Sequence, residues 1–273
     1  MSVDPTQAVT LEIRGKIAII TLNQEKKLNA LSQDLYYRIA QLLNEIAKRD
    51  DIYITLLTAK GRFFSAGADV SISRSTPEAE SDVTRHWLKN FVSNNLFVTR
   101  AFYTHPKILI TGLNGPAVGL SAALVAFSDF IYATPSAYIL TPFSSLGLVA
   151  EGGASRAFVQ RLGISKANEA LIMSKKISAD ELERTGFVNK IIDAKGDSDR
   201  FRDAVLAEID DRLGSHLNQD SLLGIKALIR KPERDNFDKQ NVEEVFGGLE
   251  RFAAGIPQEE FRKLASGEKK HKL

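Results

Sequence analysis

Three loops rich in small residues carry the groups in this sequence that are best suited to chemistry. They span residues 61–71 (GRFFSAGADVS), 114–129 (NGPAVGLSAALVAFSD) and 146–156 (LGLVAEGGASR), and each follows a predicted buried strand. Glycine and alanine let a ligand approach the main chain closely, and main-chain N–H groups can stabilise negative charge that develops there. Any one of these loops alone also fits a purely structural role, as a tight turn or a packing contact.

The third loop contains one carboxylate, Glu151, directly before two glycines. Gly152 and Gly153 would let the main chain carry that carboxylate over a substrate, where it could act as a general base. The carboxylate could instead interact with the N-terminus of a helix that is predicted to begin near residue 154. The residues alone leave both roles open.

Composition removes several other kinds of chemistry. The 273 residues include no cysteine, four scattered histidines, 36 Lys+Arg and 34 Asp+Glu, for a net charge of +2. Disulfides and thiolate nucleophiles are therefore excluded, and we expect no metal site. There is no P-loop and no dinucleotide-binding glycine motif, and Ser121 stands in GLSAA, which is not a nucleophile elbow. The balanced charge also argues against a nucleic-acid partner.

The elements that must position these loops alternate between strands and helices. A hairpin is predicted around Gly15, buried strands over 52–58 and 108–112, and a helix after Ser32, which is a suitable N-cap. A long helix is predicted over about 81–104, and the chain is helical from about residue 154 onward. We expect an α/β core over 1–195, a helical C-terminal region over 196–264 and a flexible tail over 265–273.

Two features bear on membranes. Residues 108–128 are uncharged, but glycines, Asn114 and Pro116 interrupt this segment, so no membrane span is expected. The N-terminus has neither a basic region nor an apolar stretch, so it does not look like a secretory signal.

Four blocks together resemble the crotonase (enoyl-CoA hydratase/isomerase) superfamily. They are LNALS at 28–32, FFSAGAD at 63–69, the 114–129 loop and LGLVAEGG at 146–153, in the order and at the spacing of that family. The resemblance covers roughly residues 10 to 190. It implies a crotonase spiral of ββα units with a C-terminal helical trimerisation region, an acyl-CoA thioester as substrate, and a homotrimer or homohexamer. Coenzyme A would be part of the substrate, and no separate cofactor is expected.

The resemblance also assigns roles to residues. The N–H groups of Ala68 and Leu120 would form an oxyanion hole for the thioester oxygen. The residues implied in substrate binding are Ala66, Gly67, Ala68, Asp69, Val70 and Leu120. Asn95 is implied as a residue that orients the Glu151 carboxylate.

The carboxylates predict the type of reaction. The positions of the two hydratase glutamates hold Ala123 and Phe143, so simple hydratase activity is not expected. Glu151 resembles the single catalytic glutamate of the Δ3,Δ2-enoyl-CoA isomerases. A 1,3-proton shift needs one base, which removes the C2 proton and returns a proton to C4. The resemblance therefore implies conversion of 3-enoyl-CoA to trans-2-enoyl-CoA in fatty-acid β-oxidation.

Three alternatives accompany this prediction. A dienoyl-CoA isomerase would need a second carboxylate near the acyl chain, and we assign none from the four blocks. An inactive scaffold that binds acyl-CoA would keep the fold without turnover. Binding of RNA is disfavoured by the charge balance.

The last three residues, His271, Lys272 and Leu273, form a variant of the Ser-Lys-Leu peroxisomal signal. Together with β-oxidation chemistry, this tail predicts location in the peroxisomal matrix and binding to the peroxisomal import receptor.

Overall fold

A computed structural model describes residues 4–69 and 82–270 as an α/β core followed by helices. The strands are β1 (Val9–Arg14), β2 (Ile17–Leu22), β3 (Ile54–Ala59), β4 (Ile108–Leu113), β5 (Ala117–Val118), β6 (Phe130–Ala133), β7 (Tyr138–Leu140), β8 (Ile177–Ser178) and β9 (Lys190–Ile191). The helices of the core are α1 (Pro5–Ala8), α2 (Gln33–Ala47), α3 (Val83–Trp87), α4 (Ser93–Tyr103), α5 (Leu120–Val125), α6 (Ala154–Leu171) and α7 (Ala179–Arg184).

The main sheet has six strands in the order β1-β2-β3-β4-β6-β9. β1 and β2 form the predicted antiparallel hairpin, and the other neighbours pair in parallel. Every residue of β2, β3 and β4 is buried, as their nearly continuous apolar runs predict. A small second sheet, in the order β5-β7-β8, lies where the 114–129 loop leaves the main sheet. The predicted α/β core is thus confirmed.

The helix after Ser32 forms for the predicted reasons. The Ser32 side chain accepts a hydrogen bond from the Leu35 N–H at 3.3 Å and so satisfies a free donor of the first turn. Its predicted apolar positions are all buried, namely Leu35, Ile39, Leu42, Leu43 and Ile46. This helix packs against α4 and against β1 and β2 of the main sheet.

The predicted long helix over 81–104 is interrupted. α3 and α4 are joined by one π-helical turn, Leu88–Val92, instead of continuous α-helix. A π turn holds one extra residue and so rotates the residues after it about the helix axis. This rotation sets which side chains of α4 face the core.

The C-terminal region is helical, as predicted, and contains four α-helices. They are α8 (Ser198–Leu213), α9 (Gln219–Arg230), α10 (Arg234–Ala253) and α11 (Ile256–Ala265). α9 is fixed to the sheet by Lys226 and Arg230, which bind the Asp129 carboxylate at 2.6 and 2.9 Å. Burial opposes the charge of Asp129, but these two cations outweigh it and hold the pKa of Asp129 below its ordinary value.

The expected tail is described as far as residue 270. Lys269 contacts the Glu260 carboxylate of α11 at 2.5 Å and also the Ser145 carbonyl. The predicted targeting residues His271, Lys272 and Leu273, and the predicted binding residue Val70, lie outside the described residues.

Candidate active site

Two adjoining cavities share Glu151 as a lining residue. The first, of about 360 Å³, lies between α2, the α3–α4 segment and the loop after β7. The second, of about 390 Å³, lies beneath α11. Both are lined by Ala68, Leu120, Leu148 and Glu151. The two predicted amide donors and the predicted base therefore lie together where the cavities adjoin.

The main chain around Ala68 turns its N–H away from the neighbouring strand. The Leu31 N–H donates to the Gly67 carbonyl at 2.8 Å, and the Asp69 N–H donates to the Leu31 carbonyl at 3.0 Å. In such a parallel pairing the residue between the two bonded ones points its own N–H to the opposite side. Gly67 has a φ of +90°, and a Cβ there would lie 2.8 Å from the Val118 carbonyl oxygen. Only glycine fits this approach.

The second predicted donor begins a helix. Leu120 is the first residue of α5, after Gly119 with a φ of +62°. The first N–H groups of a helix have no partner within it. Within residues 4–69 and 82–270, the Leu120 and Ala68 N–H groups have no hydrogen-bond acceptor. Two donors are thus available to a ligand oxygen at the junction of the cavities.

A buried chain of hydroxyl groups ties the two donor segments together. Ser65 donates to the Asn29 carbonyl at 2.8 Å, so its oxygen accepts the Ser121 hydroxyl at 2.9 Å. The Ser121 oxygen in turn accepts the Tyr36 hydroxyl at 2.9 Å, and the Gly67 N–H donates to Ser65 at 3.1 Å. None of the four sequence blocks predicts this chain of hydroxyl groups. Its one signal is a tyrosine on the apolar face of α2, whose hydroxyl needs a buried partner.

Asn95 lies beside the carboxylate as the sequence suggested. Its Nδ2 donates to Glu151 Oε2 at 2.9 Å, and only 5% of Asn95 is exposed. The Thr99 hydroxyl donates to Asn95 Oδ1 at 3.3 Å. This second bond fixes which end of the amide faces Glu151, because the oxygen already serves as an acceptor.

The glycines after Glu151 allow its loop to lie directly against α5. Gly152 and Gly153 both have a φ of +70°. A Cβ on Gly152 would lie 2.9 Å from the Ala123 Cβ, and one on Gly153 would lie 2.5 Å from the Phe127 ring. The Ala123 position, where hydratases carry one acid, is fully buried here and packs on this loop.

The remaining predicted binding residues are divided between the cavities. Ala66 and Gly67 line the second cavity, which also includes Phe143, the other position of a hydratase acid. Asp69 lines the first cavity together with Glu151 and pairs with Lys27 at 3.3 Å. The part of Asp69 in substrate binding, and the absence of a second carboxylate for the acyl chain from the four blocks, both stay predictions.

In 4–69 and 82–270, no three His, Asp or Glu side chains converge as a metal site would require. Within the same ranges, every helix is too short or too polar to cross a bilayer.

Comparisons with known proteins agree with this geometry. The family model for enoyl-CoA hydratase/isomerase matches residues 12–211. The chain is 62% identical to a Delta(3,5)-Delta(2,4)-dienoyl-CoA isomerase of Pyricularia oryzae, over 97% of this chain and 98% of that protein. It is 36% identical to a 3,2-trans-enoyl-CoA isomerase of Saccharomyces cerevisiae, over 98% of this chain and 97% of that one.

Solved structures of enoyl-CoA hydratases/isomerases share the fold. A crystal structure of an enoyl-CoA hydratase/isomerase from Pseudoalteromonas atlantica superposes with a TM-score of 0.82, at 24% identity, over 97% of this chain and all of the other. The family model and the relatives that match over nearly the full length show that this chain belongs to the enoyl-CoA hydratase/isomerase family, with the crotonase fold.

Proposed function

We propose that the protein is a Δ3,5-Δ2,4-dienoyl-CoA isomerase of fatty-acid β-oxidation. The observation that carries this proposal is the 62% identity, over nearly the whole chain, to a protein of that name. The same comparison favours this reaction over the Δ3,Δ2 shift that the four sequence blocks imply, since the relative named for the latter is 36% identical.

The site supports the first step of either reaction. Glu151 removes a proton from C2 of the thioester, and the electron pair of that C–H bond moves towards the carbonyl oxygen. The Ala68 and Leu120 N–H groups donate to this oxygen as its negative charge develops. Loss of one such donor typically lowers the rate by roughly 10²–10³. Asn95 holds the carboxylate through its Nδ2, 2.9 Å away.

The reactions differ in where the proton returns. A Δ3,Δ2 shift returns it to C4, which the carboxylate that serves C2 can also reach. A Δ3,5-Δ2,4 shift places a proton on C6, farther along the acyl chain, so a second, protonated group is needed in the first cavity. The proton that Glu151 took from C2 then replaces the one that this group gave to C6. Asp69 is the carboxylate that the described part of this cavity offers in addition to Glu151.

The second candidate function is the Δ3,Δ2-enoyl-CoA isomerase reaction. The observation in its favour is the Glu151–Asn95 pair, which alone suffices for a one-base proton shift. The third, an inactive acyl-CoA-binding scaffold, would bind the thioester at the same two N–H groups without turnover.

One experiment separates these functions. The purified protein is given 3,5-dienoyl-CoA and 3-enoyl-CoA in parallel, and formation of each conjugated product is followed by ultraviolet absorbance. We expect turnover of the dienoyl substrate, with loss of turnover in Glu151→Gln, which keeps the shape of the side chain but not its basicity. Turnover of 3-enoyl-CoA alone would favour the second candidate. Thermal stabilisation by acyl-CoA without any turnover would favour the third.

We also propose that the protein assembles as a homotrimer or homohexamer. α9 supports an interface because Ile225, Leu228 and Ile229 are 57, 72 and 65% exposed on a helix that is otherwise fixed to the core. Sedimentation equilibrium measures the mass, and a monomer at micromolar concentration would contradict this proposal.

The peroxisomal location rests on the last three residues and on the proposed chemistry. A fluorescent fusion with a free C-terminus should accumulate in peroxisomes, and deletion of residues 271–273 should leave it in the cytosol. Unchanged import after the deletion would refute the role of the tail.

A further inference from the structure

The inner face of α10 carries a carboxylate where apolar side chains are expected. The buried positions of this helix are Phe237, Asn241, Glu244, Val245, Gly248, Leu249 and Phe252, at helical spacing. Glu244 lies in the middle of this face and is only 5% exposed. A buried carboxylate is unfavourable unless it is hydrogen-bonded, so its partners should explain its presence.

Those partners belong to the loop that follows Glu151. Glu244 Oε2 accepts the Gly153 N–H at 2.6 Å. Its Oε1 accepts both the N–H and the hydroxyl of Ser155, at 2.9 and 2.5 Å. Burial raises the pKa of Glu244, whereas these three donors favour the charged carboxylate. The main chain two residues after the proposed base is therefore fixed by α10.

The same helix also contacts the segment that carries Asn95, the hydrogen-bond partner of Glu151. Asn241, one turn earlier on α10, donates to the Leu96 carbonyl at 3.3 Å, in the residue next to Asn95. α10 thus contacts both segments whose side chains meet in the Asn95–Glu151 hydrogen bond. On its other side the Glu151 loop packs against α5 through Gly152.

We propose that Glu244 is a positioning residue, which holds the 151–153 main chain at the place where the Glu151 carboxylate meets Asn95 and the substrate. It lines neither cavity, so it acts through Glu151 and not on the substrate. The inference rests on the proposed role of Glu151 as the base. A simpler role also exists, in which Glu244 only caps the N-terminus of α6 and stabilises the fold.

The test compares Glu244→Gln with the same substitution at a control glutamate. Glutamine keeps the size but can accept hydrogen bonds at only one of its two terminal atoms, so the Gly153 and Ser155 contacts cannot all persist. We expect kcat to fall by about 10- to 100-fold with KM little changed, as a displaced catalytic group predicts. Rates are measured well below the melting temperature of each variant, so that partial unfolding does not contribute.

The control is Glu233→Gln. Glu233 also reaches α6 from the C-terminal region, where it binds Arg156 at 2.7 Å, but it does not contact the 151–153 main chain. We expect wild-type kcat and KM for this variant. If Glu244→Gln does not fold, Ser155→Ala replaces it as the test, since it removes one of the three donors to Glu244. A decrease in kcat of Ser155→Ala would support the positioning role of Glu244.

The outcomes are distinct. No turnover by the wild type would refute the proposed function. Full turnover by Glu151→Gln would refute Glu151 as the base, and with it the positioning role of Glu244. An active wild type with a normal kcat in folded Glu244→Gln, or with an effect confined to KM or melting temperature, would overturn the positioning role. Wild-type kcat in Ser155→Ala, when Glu244→Gln does not fold, would overturn it as well.

Discussion

The close packing of Gly152 on α5 gives a prediction that can be tested in steps. Gly152→Ala introduces a Cβ 2.9 Å from the Ala123 Cβ and 2.7 Å from the end of the Leu120 side chain. Leucine can rotate its terminal methyl away, but the Ala123 Cβ is fixed to the helix. The loop that carries Glu151 must therefore shift.

Two effects on stability add at this position. An alanine at a φ of +70° costs roughly 1–2 kcal/mol in the left-handed region. The clash in a packed interior adds about 1–3 kcal/mol. We expect the free energy of unfolding of Gly152→Ala to fall by about 2–5 kcal/mol in urea titrations. We also expect kcat to fall by about 10- to 100-fold, since a displacement of even 1 Å can lower rates to that extent.

Gly186→Ala is the matched control. Gly186 has a φ of +78°, and a Cβ there would meet nothing within 4 Å. It should lose only the roughly 1–2 kcal/mol of backbone strain and keep its kcat. Adding Ala123→Gly to Gly152→Ala removes the fixed contact, so part of the rate should return. Equal stability and equal kcat in the two single variants would refute the claim that contact with α5 places the Glu151 loop.

Three further predictions concern individual side chains. Asn95→Ala removes a hydrogen bond to the Glu151 carboxylate. Such a bond contributes about 1.5–3 kcal/mol, so kcat should fall by about 10- to 100-fold. A change confined to KM would contradict this role of Asn95. Tyr36→Phe leaves the buried Ser121 oxygen without its donor. The free energy of unfolding measured in urea should fall by about 1 kcal/mol. An unchanged midpoint of urea unfolding would contradict the chain of hydroxyl groups. Burial lowers the pKa of His105 to about 3, so below pH 6.5 the unfolded chain binds a proton that the folded chain does not. The free energy of unfolding should therefore fall by about 2 kcal/mol between pH 8 and pH 5. His105→Gln should lose this part of the pH dependence.

Local sequence patterns predicted the elements of this fold well. Ser32 caps α2 because its hydroxyl can replace a missing acceptor in the first turn, and this depends only on neighbouring residues. The buried strands β3 and β4 follow from continuous apolar runs in the same way. The π turn at Leu88–Val92 gave no such signal, because it depends on how the helix packs as a whole.

The site was predictable only where short motifs carry it. The segments of Ala68, Leu120 and Glu151 each lie within one block of the sequence. By contrast, Glu244 reaches its partner from 91 residues away. The orientation of Asp69 likewise depends on the pairing of its strand with Leu31. Contacts of this kind arise from the tertiary fold, and a single sequence does not reveal them.

The order of the strands has a consequence for synthesis of the chain. Neighbours in the main sheet follow one another along the sequence from β1 to β4, so each new strand can pair as it emerges from the ribosome. A chain that stopped at residue 233 would contain every strand of the described residues and both segments of the proposed oxyanion hole. It would lack α10, and with it the contact that fixes the loop of the base. The proposed catalytic centre can thus be completed only after the sheet that supports it.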